Sequence, residues 1–388
     1  MSARRLEHST VGDQLLVDSI AGVPADAFDC LDTSAGAAGC YHRLRQREMD
    51  GRWQVAYALQ GPADAPTAVL PGYIRRGVDW PDPAYDISAW TRPLYLTVPG
   101  GSPSGPHDGS HRELHGELPS GSDLGPATLA ADQCVFIGGC ADLRSALHLG
   151  PADRTQTGAS RLLAAFARAN PGRFLVFPYL YRADRDLVDD ATGGRCWWTL
   201  LGRESYFPRL TEPDREAGLG SRVRGVLRHD RRLIASAGLV AAVTDWSDAP
   251  ADTAELIAAH NTRKGSPDHP EFVALRHDQW ADCPSVRVVV FSVRSGSVRG
   301  VLSALVWRDQ LELAEVGLAG PDGPVRLACY LDLLFHQPIR FAAAHGLTAI
   351  RAGLAAEVPK KSRGARLREV YGGVLGPADT ARLADVTD

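Results

Sequence analysis

Apolar positions in the first half of the chain fall in short runs separated by turn-rich breaks. Trp53–Gln60 (WQVAYALQ) and Thr67–Ile74 (TAVLPGYI) are two such runs, and the intervening GPADAP supplies the turn of a β-hairpin. Cys134–Gly139 (CVFIGG) has the continuous apolar character of a buried strand, Ala159–Asn170 (ASRLLAAFARAN) reads as a helix, and Phe174–Tyr181 (FLVFPYLY) as a further strand. The half therefore alternates β and α units. Residues 98–125 are so rich in Gly, Ser, Pro and His that no regular element fits them; the expectation is a long mobile loop, an insertion or a lid.

The charged stretch TEPDREAGLG marks a junction, and the domain boundary is placed at 205/206, giving domains 1–205 and 206–388. Beyond it, Val223, Val226, Leu227, Leu233 and Ile234 form the stripe of a helix that starts at Ser221 and stops at Gly238. Ala251–Gly265 predicts a second helix with Asp252 as its cap. Three strands follow as a meander, VRVVVFSVR, VRGVLSALVW and LELAEVGL, with turns at Ser295–Ser297 and Arg308–Gln310. A helix from Arg326 to His345, which Pro338 should kink, and a short strand, Leu347–Leu354, complete the core. Helix, helix, three antiparallel strands, helix, strand is the element order of an acetyltransferase-like (GNAT) fold.

Composition changes this picture little. The 388 residues are 44% apolar, enough for two cores, and the net charge of -4 argues against a protein that coats nucleic acid through overall charge. The opening MSARRLEHST lacks the apolar core of about 7–15 residues that a secretory or twin-arginine signal needs, and no window is long and apolar enough for a membrane span, so a cytoplasmic location is expected. The cysteines, seven in number, are scattered without a CxxC pair, which predicts reduced thiols and no metal site.

Four segments in order resemble the dual-GNAT proteins of peptidoglycan biosynthesis or recognition, relatives of the Fem-like aminoacyltransferases. They are the Arg-rich helix SRVRGVLRHDRRLIASAGL, the connector NTRKGSPDHP, Tyr330 with Pro338-Ile339 and Gly346-Leu347, and Glu357, Lys360, Arg363 and Gly364 in EVPKKSRGARL. VAYALQ, TAVLPGYI and VFIGGCADLRSAL extend the resemblance more weakly into the first half. It implies a mixed α/β chain of two GNAT-like domains in tandem, each a mostly antiparallel twisted sheet flanked by helices. It also implies acyl transfer from a carrier, acyl-CoA or aminoacyl-tRNA, to an amine.

The residues bear on which carrier. A CoA-type phosphate loop would fall at EVGLAGPDGPVRLACY, where Gly317, Gly320 and Gly323 are present. Asp322 puts a negative charge among the phosphates and Pro324 has no N–H to offer, with Arg326 as partial compensation. The Arg-rich helix instead sets five arginines against Asp230 alone, a local field suited to phosphates. Arg224, Arg228, Arg231 and Arg232 of that helix, with Lys264, Arg326, Lys360, Lys361, Arg363 and Gly364, are the expected carrier contacts. Asp332, His336 and Arg340 stand four apart on one helix face; His336 is the first candidate base, Glu315 the second, with Asp332 behind His336 and Tyr330 as a donor to the leaving oxygen. The expected reaction joins an amino acid from aminoacyl-tRNA to a small amine acceptor, a specialised metabolite or a wall precursor, with no tightly bound cofactor. The coiled-coil arm frequent in wall-building Fem enzymes has no counterpart heptad run here. Acyl-CoA-dependent N-acylation and non-catalytic peptidoglycan recognition are the alternatives.

Overall fold

The computed structural model describes residues 14–31, 34–80, 82–90, 130–212 and 215–385; the stretch read as a loop at 98–125 lies outside these residues. In chain order the strands are β1 Gln14–Val17, β2 Trp53–Gln60, β3 Ala68–Arg75, β4 Cys134–Ile137, β5 His148–Leu149, β6 Phe174–Tyr181, β7 Trp197–Pro208, β8 Val240–Asp245, β9 Val286–Ser295, β10 Val298–Trp307, β11 Gln310–Ala319, β12 Ala349–Arg351 and β13 Arg366–Leu375. The chain forms two compact units, Met1–Gly202 with Glu369–Asp388, and Arg203–Arg368. The tail assigned from sequence to the second domain thus belongs to the first, because Val370–Leu375 of β13 pair with β6.

In the first unit β1-β2-β3-β4 are antiparallel neighbours, β4 pairs with β6 in parallel, and β13 closes on β6. The helix Gln156–Ala169 starts where the Thr155 hydroxyl accepts the Gly158 N–H, and buries Leu162, Leu163 and Phe166 against Leu70, Ile137 and Phe177. Each such side chain contributes about 1.5–3 kcal/mol by leaving water.

The second unit repeats the plan. Its order is β7-β12-β11-β10-β9-β8, antiparallel throughout except for the parallel pair β11/β12. One face packs Leu256, Ile257 and Val273 of the helices Thr253–Arg263 and Pro270–Ala281 against Val290 and Val301. The other carries Phe291, Leu302 and Leu318 beneath Leu331, Leu333 and Phe335. The long helix expected over 326–345 is three pieces: Pro324–Leu331, a π-helical turn Asp332–His336, and Gln337–Ala344. Pro338 explains this, since its missing N–H leaves a carbonyl one turn earlier unserved and the wider turn absorbs the mismatch. Asp252 precedes its helix as expected but makes no side-chain cap; its carboxylate takes Arg299 at 2.6 Å instead.

Candidate functional site

The second unit's sheet opens at one place. β11 stays with β10 to its end, but pairs with β12 only over Gln310–Glu312, so beyond Glu312 the two parallel strands part. A register break opposite Leu302 and Ala304 bulges β11 just where Glu315 sits. The Ser303 hydroxyl fills the break: it accepts the Glu315 N–H at 3.1 Å and lies 2.7 Å from His277 Nε2. His277 is buried, stacks on Trp246 with ring centroids 4.4 Å apart, and has Nδ1 2.8 Å from the Val273 carbonyl. Burial pushes its pKa below the ordinary imidazole value. Nδ1 bonded to a carbonyl must carry the proton, so Nε2 accepts from Ser303.

The Glu315 carboxylate accepts Arg276 at 2.8 Å and Asn261 at 3.3 Å, and both donors also hold Asp268. Arg276 keeps the Asp268 carboxyl down at about 2. The helix Thr253–Arg263 can bring Asn261 this close because Gly317 has no side chain: a Cβ there would stand 2.6 Å from the Leu256 backbone. Gly317, read from sequence as part of a phosphate loop, is therefore a packing glycine. Replacing Arg276 with Ala should return the Asp268 carboxyl toward its ordinary value of about 3.9. A depressed carboxyl stabilises the fold above its ordinary pKa and loses that contribution as pH falls through the folded one. Arg276→Ala is thus expected to move acid unfolding to higher pH, read by circular dichroism, with the carboxyl carbon of Asp268 followed by NMR.

Across the opening lies Lys360. Its ammonium is buried and donates to the Ala352 and Ala355 carbonyls, immediately beyond β12. Burial lowers its pKa to about 8, with Glu204 opposing and Lys264 adding to the fall. Lys264 follows the helix that carries Asn261 and is near enough to Lys360 for its charge to be felt there. Beneath is a buried charge cluster in which Arg351 meets Glu204 at 3.2 Å and Glu312 at 3.5 Å, while Arg368 takes the other oxygen of Glu204 at 2.6 Å. His260, 9% exposed, has no hydrogen-bond partner at either ring nitrogen among the described residues and is pushed down to about 4, first by burial and then by Lys264, Arg263 and Arg326.

Of the residues singled out from sequence, Glu315 and Lys360 border this opening, and the charge of Lys264 acts on Lys360. His336 does not join Glu315. It is buried against the helix Ser221–Ser236, its Nε2 3.5 Å from Asp230, and burial lowers its pKa. Asp332 accepts Gln337 and Arg340 within its own helical segment. Tyr330 packs edge-on to Phe335, and burial raises its phenol pKa. Arg363 is locked to Asp230 by two bonds of 2.6 and 3.0 Å and lies over Phe335. Gly364, at φ +92°, would meet Leu219 at 3.1 Å if it bore a Cβ, so it serves packing. Arg224 is spent on the Ala217 and Leu219 carbonyls, Arg231 on Glu216, and Arg326 on Gly320 and Asp322. Arg228, Arg232 and Lys361 are exposed, as are Arg222 and Lys264, and none of the five makes an ion pair or hydrogen bond among the described residues. Sequence reading missed Glu204, His260, His277, Ser303 and Arg351. Of these only Ser303, a polar residue between apolar neighbours on a central strand, left a trace.

All seven cysteines are free and only Cys30 is exposed. Among the described residues no cluster of His, Cys, Asp or Glu could hold a metal ion, and no helix is long and apolar enough to cross a membrane.

No family model matches the chain. No curated protein matches it in sequence. Solved structures do match. FemX aligns over 90% of this chain and 94% of its own, at 10% identity and a TM-score of 0.53. A conserved protein of unknown function from Bacteroides thetaiotaomicron VPI-5482 aligns over 93% of this chain and 99% of its own, at 10% identity and a TM-score of 0.51. At such identity the likeness is one of fold, and the fold is the mixed α/β, GNAT-like one of FemX.

Proposed function

We propose that the second unit is an acyltransferase that moves an aminoacyl group from aminoacyl-tRNA to an amine on a small acceptor. The opening between β11 and β12 supports acyl transfer by what borders it. Glu315 accepts a proton from the attacking amine nitrogen; the new N–C bond forms as the ester C–O bond breaks, and the carrier hydroxyl leaves with a proton. Lys360, in its ammonium form, uses two N–H groups on backbone carbonyls and has a third for the developing oxyanion.

The observation that carries the choice of carrier is the set of unpaired cations. Arg222, Arg228 and Arg232 project from a helix that the Asp230–Arg363 pair fastens to the turn holding Lys360 and Lys361. In the alternative phosphate loop, Asp322 is exposed and occupies Arg326, which does not favour CoA. The test is a salt titration of aminoacyl-tRNA binding by the wild type and by Arg228→Ala combined with Arg232→Ala. The slope of log affinity against log salt should fall by roughly 0.7–0.9 per lost phosphate contact. Identical slopes, or no binding at low salt, would remove tRNA as the carrier.

A further inference from the structure

On the sheet face that the helix Thr253–Arg263 packs against, β9 and β10 bring two arginines together. Arg294 stands directly opposite Arg299 in their antiparallel register, and residues so placed share a face with Cβ atoms about 4.5–5.5 Å apart. Like charges in that position destabilise a sheet unless something neutralises them. Arg299 has its counter-charge, since its Nη1 donates to Asp252 at 2.6 Å. Arg294 has none: its side chain is exposed and makes no hydrogen bond or ion pair among the described residues.

Both arginines line a cavity of about 310 Å³, within the range of about 300–1,000 Å³ usual for small-molecule sites. Val301, two residues along β10 from Arg299, lies on the same face, and so do Val240, opposite Arg294 on β8, and Ala242. With Leu256 of the helix they give the cavity an apolar lining. Asp252 is the sole acidic residue lining it among the described residues, so two arginines against one carboxylate leave a single positive charge in excess.

We propose that this cavity binds a small monocarboxylate with an apolar body, its carboxylate on Arg294 and its body against Val240, Ala242, Leu256 and Val301. A guanidinium presents paired N–H donors in the spacing of carboxylate oxygens. One negative charge brings the cavity to neutrality, whereas a phosphate dianion overshoots and stands beside Asp252. The apolar lining favours a hydrocarbon body over a second polar group. The site is separate from the opening between β11 and β12: Leu256 lines the cavity, while Asn261, later on the same helix, holds Glu315.

The experiment is isothermal titration calorimetry on the full chain at low salt, with hexanoate, hexanamide and inorganic phosphate as probes, for the wild type, Arg294→Ala, Asp252→Asn and Ala242→Phe. The wild type should bind one hexanoate per chain, more tightly than either other probe. Arg294→Ala should weaken hexanoate by roughly 10–100-fold, the range of a hydrogen bond to a charged group. Asp252→Asn, which releases Arg299 to the ligand, should tighten it, and Ala242→Phe, which places a ring in the cavity, should abolish it with the circular dichroism unchanged. No hexanoate binding by the wild type overturns the proposal. So do equal affinities for hexanoate and hexanamide, a preference for phosphate, or a hexanoate affinity unaltered by Arg294→Ala or weakened by Asp252→Asn. Arg294 is exposed, so its variant decides alone should Ala242→Phe fail to fold.

Discussion

Lys360→Met should reduce transfer by about 10²–10³, the usual cost of removing one preorganised oxyanion donor, while leaving carrier binding nearly unchanged. The pH dependence is more specific. If the ammonium form works, wild-type activity declines as pH rises through about 8, where Lys360 loses its proton; a base at this position would give the opposite trend. Stability supplies a second readout. Lys360 titrates lower in the folded chain than in the unfolded one, so the cost of burying its charge is full below about 8 and is relieved as pH rises toward the ordinary lysine value. The stability of wild type relative to Lys360→Met should therefore increase across that window. Equal pH profiles of stability for the two proteins would show that Lys360 is not held as a buried ammonium.

Arg363→Met is expected to be the most destabilising single change. Asp230 is 1% exposed, and removing its bidentate partner leaves a buried carboxylate uncompensated, at a cost of about 3–5 kcal/mol. The double variant Asp230→Leu, Arg363→Met removes both charges and should recover most of that loss. Denaturant titration of the three proteins checks this. If Arg363 were a carrier contact instead, the single variant would unfold like wild type and lose only tRNA affinity.

That contrast shows where sequence reading stopped. The meander β9-β10-β11 was legible because alternation and turn residues are local, and so was the helix Ser221–Ser236 with its five arginines. What those arginines do was not legible, since the partners of Arg231 and Arg363 lie far along the chain or on another element. β8 was missed because an edge strand open on both faces shows no alternation. β13 was hidden by Gly372-Gly373, which reads as a turn. A Cβ at Gly373 would stand 2.3 Å from the Trp198 ring, so glycine there makes room for a tryptophan. The Glu315 side of the site was visible as a carboxylate among apolar residues. His277 and Arg276 were not, because the helix Pro270–Ala281 that carries them follows Pro270 in what read as a connector.

The chain leaves the first unit within β7 and returns to it within β13, so residues 203–368 are an insertion in the first unit. During synthesis that has an order built into it. The second unit has all its residues once Arg368 has emerged, whereas β6 must wait for β13, the last strand made. The first unit, begun earlier, is finished later. A nascent chain halted after residue 368 should therefore hold a protease-resistant second unit beside a first unit still open along β6.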